Sequence, residues 1–133
     1  QKVAWGSLGE GPPLVLVHGT PFSSQVWRRI APLLAEHRKV HFFDLIGYGQ
    51  SEKSDGQDVS LGVQNGLLAA LVQAWGLGAP EVLCHDFGGA TALRAYLAAN
   101  PDIASALHEG FARAMRGKLA SANTRIADRP LPS

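Results

Sequence analysis

The sequence is poor in cysteine and has no excess of either charge. Its 133 residues include a single cysteine, Cys84, so the chain cannot form an internal disulfide, which fits a reducing compartment. Twelve Lys and Arg residues against eleven Asp and Glu residues leave a formal net charge of +1. This balance excludes the basic surface that binds nucleic-acid phosphates or anionic bilayers, so we expect neither nucleic acid nor membrane as a partner.

Long hydrophobic runs and the common cofactor motifs are also missing. No apolar run approaches the roughly 18 residues of a membrane span, and the start of the chain has no hydrophobic segment of a signal peptide, so we expect a cytoplasmic protein. No spacing of His, Cys and Asp fits a metal site, and neither a glycine-rich phosphate loop nor a dinucleotide fingerprint is present. We therefore expect no metal and no cofactor.

Three short apolar segments alternate with three helical patterns. With 46% hydrophobic residues, the chain has enough apolar surface for the core of one domain. Strands are predicted at 14–17, 39–44 and 81–85, and amphipathic helices at 24–37, 60–76 and 88–100. This βαβαβα order implies an α/β core with a parallel sheet over residues 1–101, in which the segment 14–17 is the central strand.

The pattern changes after Pro101. Apolar residues then fall every four positions and predict one additional amphipathic helix over 102–120, and no strand follows it. Residues 121–133 contain little apolar surface, so we expect a flexible tail.

Asp86 stands where the strand 81–85 meets the helix that Gly88 opens. Small residues two positions before and after it, Cys84 and Gly88, allow the sharp turn of a nucleophile elbow. The helix N-terminus would favour a negative charge there. The alternative is that Asp86 only caps this helix. A second motif follows the strand 14–17, at the sheet edge where parallel α/β folds bind ligands, and consists of His18, Gly19, Thr20, Pro21 and Phe22.

Together with the segment 44–51, Asp-Leu-Ile-Gly-Tyr-Gly-Gln-Ser, these motifs resemble the α/β-hydrolase superfamily, specifically its branch of haloalkane dehalogenases and epoxide hydrolases. The resemblance covers roughly Trp5 to Pro101 in the same order. It implies a hydrolase that acts on small apolar haloalkyl or epoxide substrates, with Asp86 as the nucleophile that forms an alkyl-enzyme ester. A carboxylate suits this role because it can attack a tetrahedral carbon without first losing a proton.

The resemblance also implies roles for neighbouring residues. The amides of Phe22 and Phe87 would stabilise the oxyanion when water hydrolyses the ester. Thr20 and Phe87 stand where haloalkane dehalogenases commonly hold the leaving halide with an asparagine and a tryptophan, so the epoxide reading stays open beside the haloalkane one. Asp44 would support the loop that follows it. The remaining motif positions would support the site, namely His18, Gly19, Pro21, His85 and Gly88.

The family places its acid and its histidine after the nucleophile, and the histidine follows the last strand. Of the five histidines only His108 lies after Asp86 in the sequence. We expect it to be a half-exposed helix residue rather than the catalytic base. The chain is therefore expected to represent the N-terminal half of such a hydrolase and to be incomplete by itself.

Two other functions stay open. A non-catalytic hydrolase-like fragment or interaction module could pair through an uncovered strand edge at Val82 and Leu83, either with itself or with a complementing C-terminal segment. A phospho-Asp receiver domain suits the length and the parallel sheet. It would, however, carry a pair of acids after the first strand, where His18 and Gly19 stand.

Overall fold

A computed structural model describes residues 1–102 and residue 105. Its elements are β1 (Trp5–Leu8), β2 (Pro13–Val17), a 3₁₀ helix (Ser24–Trp27), α1 (Ala31–Leu34), β3 (Lys39–Phe43), α2 (Leu61–Ala74), β4 (Glu81–Cys84) and α3 (Phe87–Ala99). Within the described residues the strands form one sheet of order β1-β3-β2-β4. The packing reported below is that of the unit Gln1–Tyr96.

β2 is the central strand, as predicted, and it pairs in parallel with β3 on one side and β4 on the other. Its side chains alternate between two clusters because successive residues of a strand point to opposite faces. One cluster contains Leu14, Leu16, Trp27, Ala31 and Val40. The other contains Val15, Val17, Phe43, Leu45 and Leu68. The prediction of a strand buried on both faces is therefore confirmed.

β1 was not predicted, and it makes the sheet mixed rather than parallel. It pairs antiparallel with β3, with Trp5 opposite Phe43 and Leu8 opposite Val40. Its sequence, Trp-Gly-Ser-Leu, has neither a β-branched run nor a clear alternation, so the pairing is decided by β3 rather than by local pattern. Gly6 favours this pairing, because a Cβ at position 6 would lie only 2.7 Å from the Phe42 ring and would force the ring to shift.

The single helix predicted at 24–37 is wrong. The segment forms the 3₁₀ helix and the short α1 instead, and Pro32 lies in the first turn of α1. Proline is tolerated in the first turn of a helix, because the N–H groups there have no partner within the helix. In a continuous helix over 24–37 the ring of Pro32 would clash with the carbonyl group of Arg28. Ser23 is the N-cap of the 3₁₀ helix, and its side chain accepts a hydrogen bond from the Gln25 amide at 3.4 Å.

α2 and α3 agree with the predicted helices to within two residues. Ser60 is the N-cap of α2, although its side chain makes no capping hydrogen bond. The apolar faces of both helices pack against the cluster around Phe43, through Leu67, Leu71 and Val72 from α2 and Ala92 and Ala95 from α3. The two helices therefore cover one face of the sheet, while the 3₁₀ helix and α1 cover the other.

Pro101, Asp102 and Ser105 are helical. The rest of the helix predicted over 102–120, and the whole tail predicted at 121–133, lie outside the described residues. Within residues 1–102 none of the helices has the length and the hydropathy that crossing a membrane requires.

Candidate active site

Asp86 occupies a sharp turn between β4 and α3. Its φ of 53° is the only positive φ of a non-glycine residue in the described part of the chain. The Gly89 amide donates to the Asp86 carbonyl oxygen at 2.8 Å and closes the first turn of α3. A left-handed conformation costs an L-residue about 1–2 kcal/mol, so the surrounding structure must hold it. The backbone at Asp86 thus has the form of a nucleophile elbow.

Gly88 allows α3 to begin directly against the end of β2. A Cβ at this position would lie 2.5 Å from the Val17 carbonyl oxygen and 2.7 Å from that of His18. Both obstacles are backbone atoms that cannot turn away, so any side chain would push the helix off the sheet. The requirement for a small residue here comes from close packing.

Gly19 brings the two sequence motifs together. A Cβ on Gly19 would lie 2.8 Å from the Asp86 Cβ and 3.0 Å from Nδ1 of His85. This contact follows from the topology, because β2 and β4 are parallel neighbours whose carboxyl ends meet at one edge of the sheet. The structure therefore places the segment after β2 directly beside the elbow.

The turn after Gly19 determines which amides are free. The Phe22 amide donates to the Gly19 carbonyl oxygen at 3.2 Å, and Pro21 has no N–H. Among the described residues, the amides of Thr20 and Phe87 make no hydrogen bond. Phe87 opens α3, where the first amides of a helix have no partner within the helix. The free amide of this turn thus belongs to Thr20 rather than to Phe22.

The aromatic rings of the two motifs lie in different surroundings. Phe22 is 52% exposed, whereas the Phe87 ring packs against the apolar cluster around Phe43. Phe87 therefore contributes its ring to the core and its amide to the end of the helix. Asp86 and His85 are exposed, Thr20 is half-buried, and His108 lies outside the described residues.

His18 is completely buried and joins the end of β2 to the end of β3. Its Nδ1 lies 2.7 Å from the Gly19 carbonyl oxygen, and its Nε2 lies 3.0 Å from the Leu45 amide nitrogen. Since Nε2 must accept from this amide, Nδ1 carries the proton and donates. Burial lowers the pKa of His18, although the bond to Gly19 and the charge of Asp44 oppose this shift. The ring is therefore a neutral connector.

Asp44 connects the loop that follows it to Ser24, which is distant in the sequence. Its Oδ1 accepts from the Ser24 amide at 2.6 Å and its Oδ2 accepts from the Gln50 amide at 2.7 Å. The Ser51 hydroxyl donates to the Asp44 carbonyl oxygen at 2.6 Å. Burial by itself would raise the pKa of Asp44, but the amides of Gln50 and Ser24 outweigh it and hold the pKa below its usual value. The contact with Ser24, twenty residues earlier in the chain, was not foreseen from the sequence.

The depressions near the 3₁₀ helix do not include Asp86. Cavities of about 380 and 230 Å³ share Ser23 and Gln25 as lining residues, and Asp86 lines neither of them. No group of three or more His, Cys, Asp or Glu side chains within the described residues could hold a metal ion. The chemistry available at the elbow is therefore that of an exposed carboxylate beside two unpaired amides.

Comparison with known proteins agrees with this geometry. The family model for the alpha/beta hydrolase fold matches residues 12–110. The chain belongs to the α/β-hydrolase fold family.

Relatives within the α/β-hydrolase family include the enzyme classes named by the resemblance. A haloalkane dehalogenase from Agrobacterium fabrum is 38% identical over 94 residues, which are 71% of this chain and 30% of the relative. The crystal structure of an α/β-hydrolase fold protein from Burkholderia ambifaria is 66% identical, with a TM-score of 0.70, over 71% of this chain and 35% of that one. A protein assigned as an epoxide hydrolase from Pseudomonas aeruginosa is 36% identical, with a TM-score of 0.67, over 74% and 34% of the two chains. The chain thus spans about a third of the length of these relatives.

Proposed function

We propose that Asp86 is a carboxylate nucleophile that forms an alkyl-enzyme ester with small haloalkyl or epoxide substrates. With an alkyl halide, a carboxylate oxygen forms a bond to carbon as the carbon–halogen bond breaks, and the halide leaves with the electron pair. With an epoxide, the broken bond leaves an alkoxide that takes a proton from water. The conformation of Asp86 carries this proposal, since a positive φ between β4 and α3 is the backbone form of a nucleophile elbow and Asp86 is exposed there.

Hydrolysis of the ester is the second step that the site would have to support. Water attacks the ester carbonyl carbon and a tetrahedral oxyanion forms, which backbone N–H groups can stabilise. We propose the amides of Thr20 and Phe87 as these donors, because they are unpaired while the Phe22 amide already donates to Gly19. This choice replaces the expectation that named Phe22.

A base for the attacking water is missing from the described residues. His18 is buried, neutral and engaged at both ring nitrogens, so it cannot take up a proton from water. His85 is displaced to one side of the elbow, against Gly19. We therefore propose that the ester persists on this chain unless a complementing C-terminal segment supplies the base.

Intact-mass spectrometry tests this proposal directly. The chain is incubated separately with 1-bromobutane and with 1,2-epoxybutane, beside Asp86→Asn and the control Asp55→Asn, which removes an exposed carboxylate elsewhere. We expect a covalent adduct on the natural sequence and on Asp55→Asn, and none on Asp86→Asn. An adduct that survives Asp86→Asn, or no adduct with either reagent, would overturn the proposed role of Asp86.

A non-catalytic interaction module is the second candidate, and the edge of the sheet favours it. β4 has β2 on one side and no strand on the other within the described residues, and Val82 and Leu83 are each 40% exposed. Unpaired strand edges with apolar side chains recruit further strands. Self-association or a complementing segment, like a cytoplasmic location, remains a prediction from the sequence.

A further inference from the structure

A cavity of about 120 Å³ lies on the face of the sheet opposite α2 and α3, away from Asp86. Its walls are formed by β1, β3, the 3₁₀ helix and α1, and most of them are apolar, from Leu8, Ala31, Pro32 and Phe42. An apolar cavity of roughly 150 Å³ can hold a molecule the size of benzene. The space is therefore suited to a small organic molecule of about six non-hydrogen atoms.

One wall of this cavity carries a buried polar group without a partner. Trp27 is 7% exposed, and its indole N–H has no acceptor among the described residues. Leaving a buried donor unpaired is costly, and most buried donors in proteins are paired. A bound molecule with an acceptor atom would satisfy this N–H.

The rim of the cavity carries a positive charge. Arg28 lines the cavity and is exposed, and it forms no ion pair within the described part of the chain. The exposed side chain of Gln25 also lines the rim. The indole N–H itself is closed to water. An acceptor can reach it only if neighbouring side chains shift, and Arg28 and Gln25 are long, exposed side chains that line the same cavity and move easily.

We propose that this cavity binds a small monocarboxylate with a short apolar chain. The chain would occupy the apolar walls, while the carboxylate would accept from the Trp27 N–H and pair with the Arg28 guanidinium. Arginine suits this role because its donors match the geometry of a carboxylate. The inference stands apart from the role proposed for Asp86, since it uses none of the elbow residues.

Titration with sodium butyrate, followed by two-dimensional NMR of the ¹⁵N-labelled chain, tests the site. We expect a saturable shift of the Trp27 indole N–H resonance, while the resonances of Trp5 and Trp75 serve as internal references because neither residue lines the cavity. Sodium chloride and neutral butyramide at equal concentrations serve as controls for ionic strength and for the apolar chain. No saturable shift with butyrate, or an equal response to butyramide, would overturn the proposal.

Two neighbouring arginines provide a matched pair of variants. Arg28→Gln should weaken butyrate binding about fivefold, as expected for loss of a partly exposed ion pair, whereas Arg29→Gln should leave it unchanged because Arg29 does not line the cavity. Trp27→Phe keeps an aromatic ring and should weaken binding about tenfold, read from the backbone amide resonance of Ala31, which lines the cavity. Equal weakening by Arg28→Gln and Arg29→Gln would contradict a carboxylate site at this cavity.

Discussion

His18 and Asp44 fix the two ends of the segment that carries the free Thr20 amide. His18 donates to the Gly19 carbonyl at the start of the segment, and Asp44 accepts from the Ser24 amide at its end. Both side chains are buried, so these bonds are protected from competition with water. The position of the Thr20 amide beside Asp86 therefore depends on two residues that do not touch the reacting atoms.

Replacing Asp44 should destabilise the fold strongly. Asp44→Ala leaves the part-buried amides of Ser24 and Gln50 without acceptors, and we expect the free energy of unfolding to fall by about 2–4 kcal/mol. Urea denaturation followed by circular dichroism measures this, with Asp55→Ala as an exposed control. A loss no larger than that of the control would contradict the role of Asp44 as a connector.

Buried histidines should make the protein sensitive to acid. Among the described residues, neither ring nitrogen of His41 has a hydrogen-bond partner, and the ring lies against Trp75 with ring centroids 4.8 Å apart. Burial lowers the pKa of His18 and of His41, and the charge of Lys39 adds to the shift at His41. The unfolded chain therefore takes up protons near pH 6.5 while the folded one does not, so the free energy of unfolding should fall as the pH decreases below about 6.5.

A substitution at His41 separates this effect from other titrations. His41→Phe keeps a ring against Trp75 and removes one titrating group, so its unfolding free energy should decline less between about pH 7.5 and 5. His37→Asn, at an exposed position, should retain the full decline. If the unfolding free energy of all three proteins declined equally with pH, His41 would not be a source of the acid sensitivity. Asp44 acts at lower pH, because its lowered pKa means that its contribution is lost only below about pH 3.9.

At the scale of elements, the elbow depends on how closely α3 approaches β2. Gly88→Ala would set a Cβ against two backbone carbonyl oxygens, so we expect a loss of about 1–3 kcal/mol in the free energy of unfolding. Gly66→Ala in α2 provides the opposite control, since nothing lies within 4 Å of its Cβ position. Alanine there should stabilise the helix by up to about 1 kcal/mol. Denaturation curves that shift in the same direction would contradict this account.

At the scale of the whole molecule, we propose that β4, which is an edge strand within the described residues, pairs with a second copy of the chain. If a second copy pairs with this edge, light scattering should show a molar mass that rises with concentration. Val82→Lys should reduce the association, because a charge on an edge strand disfavours further pairing. Leu33→Lys, at a 64% exposed position on α1, should behave like the natural sequence. A constant monomer mass would exclude pairing through β4.

At the scale of the whole molecule, we also expect each chain to react only once with an alkyl halide. With no base for the ester among the described residues, halide release from 1-bromobutane should stop at about one equivalent of protein. An ion-selective electrode measures this, and Asp86→Asn should release none. Continued release far beyond one equivalent would show that the chain supplies its own base.

Much of the architecture follows from short stretches of sequence. The apolar segments predict the positions of β2, β3 and β4, and the glycines after Asp86 predict the turn into α3. Both signals can be read locally, because they lie in the apolar pattern and the glycine content of a few consecutive residues. The prediction of one helix over 24–37 is wrong because its apolar spacing ignores Pro32, which can begin a new helix but cannot lie in the interior of a helix that starts at residue 24.

Contacts between distant segments determine the rest. β1 becomes a strand because β3 offers it an edge, and the Phe22 amide is engaged because its turn folds back on Gly19. The bond from Ser24 to Asp44 and the unpaired N–H of Trp27 likewise depend on which surfaces meet. Local patterns limit which elements can form, but hydrogen-bond partners and strand neighbours are selected only when the chain packs, and this packing places the Thr20 amide and the Asp86 carboxylate at one end of the sheet.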